Sequence, residues 1–269
     1  MGNIIHVENV FFKRDERMIL SDIHWDVNTG EHWAMIGLNG AGKTTLLKMI
    51  NGYMWPVAGT GATIEVLGKR FGSVDLRELR KSIGWVSTSL TDSISPSHTV
   101  IDVVMSGKFA TFGLYDSVAN QDKEKAMVIL TKLGAKHTAE RRFGVCSQGE
   151  KQKIMISRAL MANPKLLILD EPCTGLDIYS RENLLLAIDA LGKQPNGPTM
   201  IYVTHHIEEV CPIFTHALIM KEGQVVAAGT KDKVITDTIL SDGLGLPLEV
   251  EWNLGRAWVK LREELEVRS

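Results

Sequence analysis

With 269 residues, the chain is long enough to bury one sizeable core, or one core with a satellite lobe. Its composition, 44% hydrophobic and 23% charged, is that of a soluble globular protein, and a formal net charge of -2 argues against a whole-molecule field for nucleic acid or an anionic membrane. The cysteines Cys146, Cys173 and Cys211 are widely spaced and odd in number, which argues for a reducing compartment and against a disulfide framework or a zinc site.

The N-terminal stretch lacks the charged-then-apolar layout of a signal peptide, and His6 stands where a myristoylation signal needs Ser or Thr. No apolar run approaches the roughly 18 residues of a membrane span. A cytoplasmic protein is expected, with any membrane part on another chain. Strand-like runs alternate with helical ones, the pattern of an α/β fold with a mostly parallel sheet. His32–Ile36 reads as a buried strand. Gly-rich residues 37–42 follow, then a helix from near Lys43 with Leu46, Leu47 and Ile50 on one face and Gly52 at its end. Strands are expected at Ile64–Leu67, Ile83–Ser87, Leu166–Asp170 and Met200–Thr204, and a hairpin at Ala217–Met220 and Gln224–Ala228. Between about residues 90 and 162 strand signals vanish, and helical runs at Val100–Ser106, Lys123–Leu133 and Gln148–Met161 suggest an inserted helical subdomain. Beyond residue 230, alternation around Asn253-Leu254-Gly255 suggests a small appended hairpin of unreadable role.

Gly37-Leu38-Asn39-Gly40-Ala41-Gly42-Lys43-Thr44 fits the phosphate-loop pattern G-x-x-x-x-G-K-[ST] between a predicted strand and a predicted helix. Glycines let successive N–H groups turn inward around phosphate oxygens, and the helix adds its positive end. Lys43 would reach the β- and γ-phosphates, the Thr44 hydroxyl would ligate magnesium, and Thr45 belongs to the same nucleotide-binding set. Leu166–Asp170, followed by Glu171, is an apolar strand ending in two acids. By itself that reads as a solvated acidic turn. Beside a phosphate loop it reads as a Walker-B site, with Asp170 holding magnesium through water and Glu171 deprotonating the attacking water. Ser147-x-x-Glu150 is a capping box before a helix, whose start presents free N–H groups and a hydroxyl to an anion.

These residues together resemble the ATP-binding cassette (ABC) family over roughly residues 4–230, with 231–269 as a C-terminal extension. The fold so implied is a P-loop NTPase core with a mostly parallel sheet, an antiparallel β part and the inserted helical subdomain. Cys146-Ser147-Gln148-Gly149-Glu150 is similar to the family signature LSGGQ; Ser147 and Gly149 match, Glu150 is an acceptable replacement for Gln, and Cys146 and Gln148 depart from it. In the family this segment contacts the γ-phosphate held by the opposite subunit, so the resemblance implies a second cassette. Thr174-Gly175-Leu176-Asp177 is similar to the D-loop, with Asp177 near the dimer interface. Ile201–His205 resembles the switch strand, which gives His205 a γ-phosphate contact; His206 is left unassigned. Thr88 stands where the family usually carries Gln. Arg14 aligns with the adenine-stacking position, with Phe11 and Phe12 as substitutes and a solvated turn arginine as an equal reading.

The resemblance implies ATP and Mg2+ as cofactors, and cassette dimerisation that powers a separate membrane-spanning permease from the cytoplasmic face. The alternatives are a soluble cassette acting on ribosomes or DNA, and a nucleotide-binding module with little turnover. The interval from Lys43 to Asp170 is too short for a long coiled coil, and no NKxD-type guanine signal supports a GTPase. A nucleic-acid partner is not expected.

Overall fold

The computed structural model describes residues 2–109 and 119–262, in two compact units: residues 1–79 with 199–269, and residues 80–198. Unit one opens with two long antiparallel strands, β1 (Asn3–Arg14) and β2 (Arg17–Asn28). Both change phase along their length. Ile5 and Val7 are buried on β1, and then Val10; Leu20 is buried on β2, and then Ile23, Trp25 and Val27. Asn9 (φ 52°) and Asp22 (φ 53°) adopt left-handed backbone at the switch points, and the pairing register shifts between Val7 and Val10.

β3 (Trp33–Ile36) is wholly buried and feeds α1 (Lys43–Ile50). β4 (Thr63–Val66) pairs antiparallel with β1, and β5 (Lys69–Arg70) extends that sheet to four strands in the order β2-β1-β4-β5. The short α2 (Leu76–Arg80) follows.

Unit two contains β6 (Ile83–Val86), the short α3 (Thr88–Thr91), α4 (Val100–Ser106), α5 (Asn120–Lys132), α6 (Gln148–Met161), β7 (Leu166–Asp170) and α7 (Ile178–Gly192). β6 and β7 pair in parallel. α4, α5 and α6 pack on one another, and each buries apolar residues, among them Val100 and Val104, Ala126 and Leu130, and Met155 and Ile156. The region expected to be only helical thus lies in a unit that also contains two strands and α7.

On the return to unit one, β8 (Thr199–Thr204) and β9 (His216–Lys221) flank β3, both parallel to it. β10 (Gln224–Thr230) turns back on β9. α8 (Lys231–Val234) and α9 (Asp237–Leu244) lead to an antiparallel hairpin, β11 (Leu248–Asn253) with β12 (Arg256–Leu261). The parallel strands, the antiparallel sheet and the helices give the α/β class expected from the sequence. β1, β2, β5, α2, α3, α7, α8 and α9 have no counterpart among the elements expected from the sequence.

Candidate functional site

The phosphate loop leaves the C-terminal end of β3, a strand with a parallel neighbour on each side. That is where α/β sheets place their ligands. Gly40 (φ 86°) and Gly42 (φ 99°) take the left-handed conformation that residues with a Cβ resist, and Gly42 is the N-cap of α1. A Cβ on Gly37 would meet the Met220 carbonyl oxygen at 2.5 Å, and one on Gly42 would meet Leu20 Cδ2 at 2.7 Å. The outer arc, Leu38, Asn39 and Gly40, is exposed, while Ala41 and Lys43 are buried. Lys43 Nζ donates to the carbonyl oxygens of Gly37 (2.6 Å) and Leu38 (3.1 Å), which holds the ammonium under the loop. Thr44 is exposed and Thr45 half-buried in the first turn of α1.

β7 is buried along its whole length and ends at Asp170, itself only 9% exposed. Glu171 follows with φ 50°, a left-handed conformation costly for a residue with a side chain. Its carbonyl accepts the Thr174 N–H (3.2 Å), which closes the turn into residues 174–177. Asp177 caps α7 by accepting the Ser180 N–H (2.9 Å) and hydroxyl (2.8 Å), bonds that hold its carboxyl below the usual range.

α6 begins as its capping box requires. The Ser147 hydroxyl accepts the Glu150 N–H (3.2 Å), and Glu150 accepts the Ser147 N–H (2.7 Å). Arg141 Nη1 (2.8 Å) and His137 Nε2 (3.0 Å) both meet Glu150 Oε1, and Arg141 Nη2 also donates to the Val145 carbonyl (3.0 Å). Burial raises the Glu150 pKa, but these bonds outweigh it and hold the carboxyl below its ordinary value. Ser147 and Gln148 are exposed; Gly149 is buried, and a Cβ there would come within 3.1 Å of Ser180 Cβ. Cys146 is buried, which pushes its thiol pKa up.

His205 follows the last residue of β8 and is half-buried, its ring 4.2 Å from that of exposed His206. The buried Glu209 accepts the hydroxyls of Tyr202 (2.9 Å) and Thr204 (2.6 Å), and Thr204 Oγ1 accepts the His206 N–H (2.9 Å). His205 is thus bracketed by two residues whose positions Glu209 fixes.

The sequence profile of the ABC transporter family matches residues 20–174, more than half of the chain. The chain belongs to this family. It is 44% identical to the uncharacterized ABC transporter ATP-binding protein YlmA of Bacillus subtilis (strain 168), over 97% of this chain and 98% of that protein. It is 38% identical to YmeB of Lactococcus lactis (strain IL1403), another uncharacterized ABC transporter ATP-binding protein, over 89% and 91% of the two chains. Among solved structures it resembles cbiO1 from Clostridium perfringens, described as part of the ABC transporter complex cbiONQ, with a TM-score of 0.76 and 26% identity over 90% of this chain and 94% of that one. The protein is an ABC-type ATP-binding cassette.

In this cassette Thr88 opens the short helix α3, after the buried Ser87. Arg14 ends β1, paired with Arg17 across a turn in which Asp15 and Glu16 take left-handed backbone. Sequence reasoning missed Glu209, Arg141 and Ser180. The first had a legible signal: Tyr202 and Thr204 sit two apart on β8 and present hydroxyls to one face.

Proposed function

We propose that this cassette hydrolyses Mg-ATP as one half of a pair, and that the pair drives a separate membrane-spanning permease from the cytoplasmic side. Gly37–Thr45 would hold the triphosphate, with Lys43 neutralising its β- and γ-oxygens. Glu171 would act as general base, and His205 would hold the attacking water against the γ-phosphate. Arg14 is the proposed platform for adenine through its planar guanidinium.

The donor set suits magnesium. Thr44 offers an exposed hydroxyl in unit one and Asp170 a carboxylate at a strand end in unit two, both hard oxygen ligands. Among the described residues no group of three or more His, Cys, Asp or Glu could enclose a metal by itself. An ion supported mainly by phosphate oxygens and water fits that pattern. When bound it would neutralise charge on the β- and γ-phosphates. The chain's own tasks are then to grip the tail, orient water and take up its proton at Glu171.

The observation that carries the paired reading is the exposed, capped start of α6. Ser147 and Gln148 face solvent with a helix N-terminus behind them, a site for an anion that arrives from outside. Exposed apolar side chains stand near it in sequence and on α7: Val145 (66% exposed), Ile178 (73%) and Tyr179 (79%). Asp177 caps α7 beside Ile178. Such apolar exposure suits a surface that another protein covers. The permease assignment is supported by the family and by cbiO1, described as part of a transporter complex. No helix of the described residues is long and apolar enough to cross a membrane.

Glu171→Gln tests the reading. The variant should bind ATP normally, lose turnover by a factor of about a thousand, and run as an ATP-dependent dimer by light scattering. Undiminished turnover would remove the general base, and a strict monomer at saturating ATP would remove the pair. Purification from mildly solubilised membranes should bring a permease down with the cassette; recovery with ribosomes instead would overturn the transport assignment.

A further inference from the structure

The geometry points to Arg256, on the C-terminal hairpin, as a positioning residue for the switch histidine His205. The inference rests on the His205 role proposed above and gives a function to the extension beyond residue 230.

His205 is followed by a single 3-10 turn, Ile207–Glu209. One end of this turn is fixed from within, where Glu209 collects the hydroxyls of Tyr202 and Thr204. The other end is fixed from the hairpin. Arg256 Nε donates to the Glu208 carbonyl oxygen at 2.7 Å, and Nη2 of the same guanidinium donates to the same oxygen. A charged donor makes this stronger than an ordinary backbone bond. Arg256 is itself steadied, its guanidinium 5.6 Å from the ring centroid of Trp258 and its chain neighbour Ala257 buried.

A second clasp holds the chain just beyond. Lys231 Nζ donates to the carbonyls of Cys211 (3.3 Å) and Gly255 (3.1 Å) and lies 5.7 Å from the Trp252 ring centroid. Gly255 has φ 75°, and a Cβ there would meet Pro212 Cγ at 3.3 Å, so the hairpin turn lies against Pro212. Residues 208–212 therefore give up three carbonyl-bound cationic hydrogen bonds if the hairpin and Lys231 let go. Water can replace those bonds, but it cannot hold the turn in one place. A small rotation at Glu208 would pass through the turn to His205, and catalysis is sensitive to misplacement of about 1 Å.

The experiment compares Arg256→Ala, Arg256→Lys and Arg256→Gln in the full-length cassette, with His205→Ala as reference. It reads kcat, KM, nucleotide affinity and hydrogen exchange at the His206 amide. The expected result is a kcat about tenfold lower for Arg256→Ala, with KM and nucleotide affinity within about twofold and faster His206 exchange. Arg256→Lys and Arg256→Gln, which keep a donor for the Glu208 carbonyl, should recover part of the loss. If Arg256→Ala does not fold, the same split between kcat and affinity is read on the Lys and Gln variants, at about threefold. Wild-type kcat in all three variants, or an equal fall in kcat and nucleotide affinity, overturns the assignment. If His205→Ala itself turns over normally, the switch reading fails and the positioning role falls with it. A dead His205→Ala beside an unaffected Arg256→Ala sinks only the positioning role.

Discussion

Gly149 and Ser180 lie so close that a Cβ on the glycine would stand 3.1 Å from Cβ and 3.3 Å from Oγ of the serine. The starts of α6 and α7 therefore touch where one has no side chain. Ser180 cannot retreat freely, because Asp177 holds its N–H and its hydroxyl.

Gly149→Ala should then push the signature and D-loop turns apart by a few tenths of an ångström. Overpacking of this kind costs about 1–3 kcal/mol, and if it falls on the paired state it lowers turnover by about tenfold or more. ATP affinity of the isolated cassette should not change. Ser180→Gly in the same background should restore much of the rate; additive losses in steady-state kinetics would show that the contact carries no coupling.

Glu209→Ala leaves two buried hydroxyls, of Tyr202 and Thr204, without their shared acceptor. The expected cost is about 2–3 kcal/mol, read as a Tm lower by about 5–10 °C. Glu209→Gln keeps an acceptor oxygen and should lose less than half of that. Equal Tm values for both variants would mean the hydroxyls find water instead.

Acid should loosen the signature turn through Glu150, whose folded pKa lies below the ordinary 4.5. A carboxyl lowered on folding stabilises the fold above its unfolded pKa and loses that contribution as pH falls through the folded value. The Tm difference between wild type and Glu150→Gln should shrink as the pH falls below 4.5. Arg141→Ala should shift that decline to higher pH, since the guanidinium is one of the bonds that lower Glu150. A difference that stays flat into strong acid would show that the ionised form contributes nothing.

Removal of magnesium by a chelator should abolish turnover and leave weaker nucleotide binding, since Lys43 and the loop amides do not depend on the ion. Asp170→Asn should raise the magnesium concentration for half-maximal rate by about tenfold or more. An unchanged requirement in a titration would move the metal role elsewhere.

The elements that carry the short motifs are legible in the sequence. β7 is an uninterrupted apolar run closed by Asp170, and α4 and α6 have the bounds expected of them, α6 with its capping box. The strands β1 and β2 were not legible, because Asn9 and Asp22 each shift the buried face by one position and break the alternation. In α7, Leu184 and Leu185 are buried while Leu186 is 68% exposed, so its apolar residues blur any single stripe. Arg256 had no local signal, since its partner is a main-chain oxygen 48 residues earlier.

The turn of the β9–β10 hairpin also reaches the phosphate loop: the Gly223 N–H donates to the Ala41 carbonyl at 3.1 Å, and a Cβ on Gly223 would strike the Ile19 carbonyl oxygen at 2.2 Å. The proposed nucleotide cradle is therefore assembled from chain stretches at both ends of unit one. A fragment carrying only residues 1–79 would contain every motif letter of that cradle and lack its rear wall. Its glycines would sample many shapes, and the nucleotide would have to freeze them itself, with a loss of affinity to match.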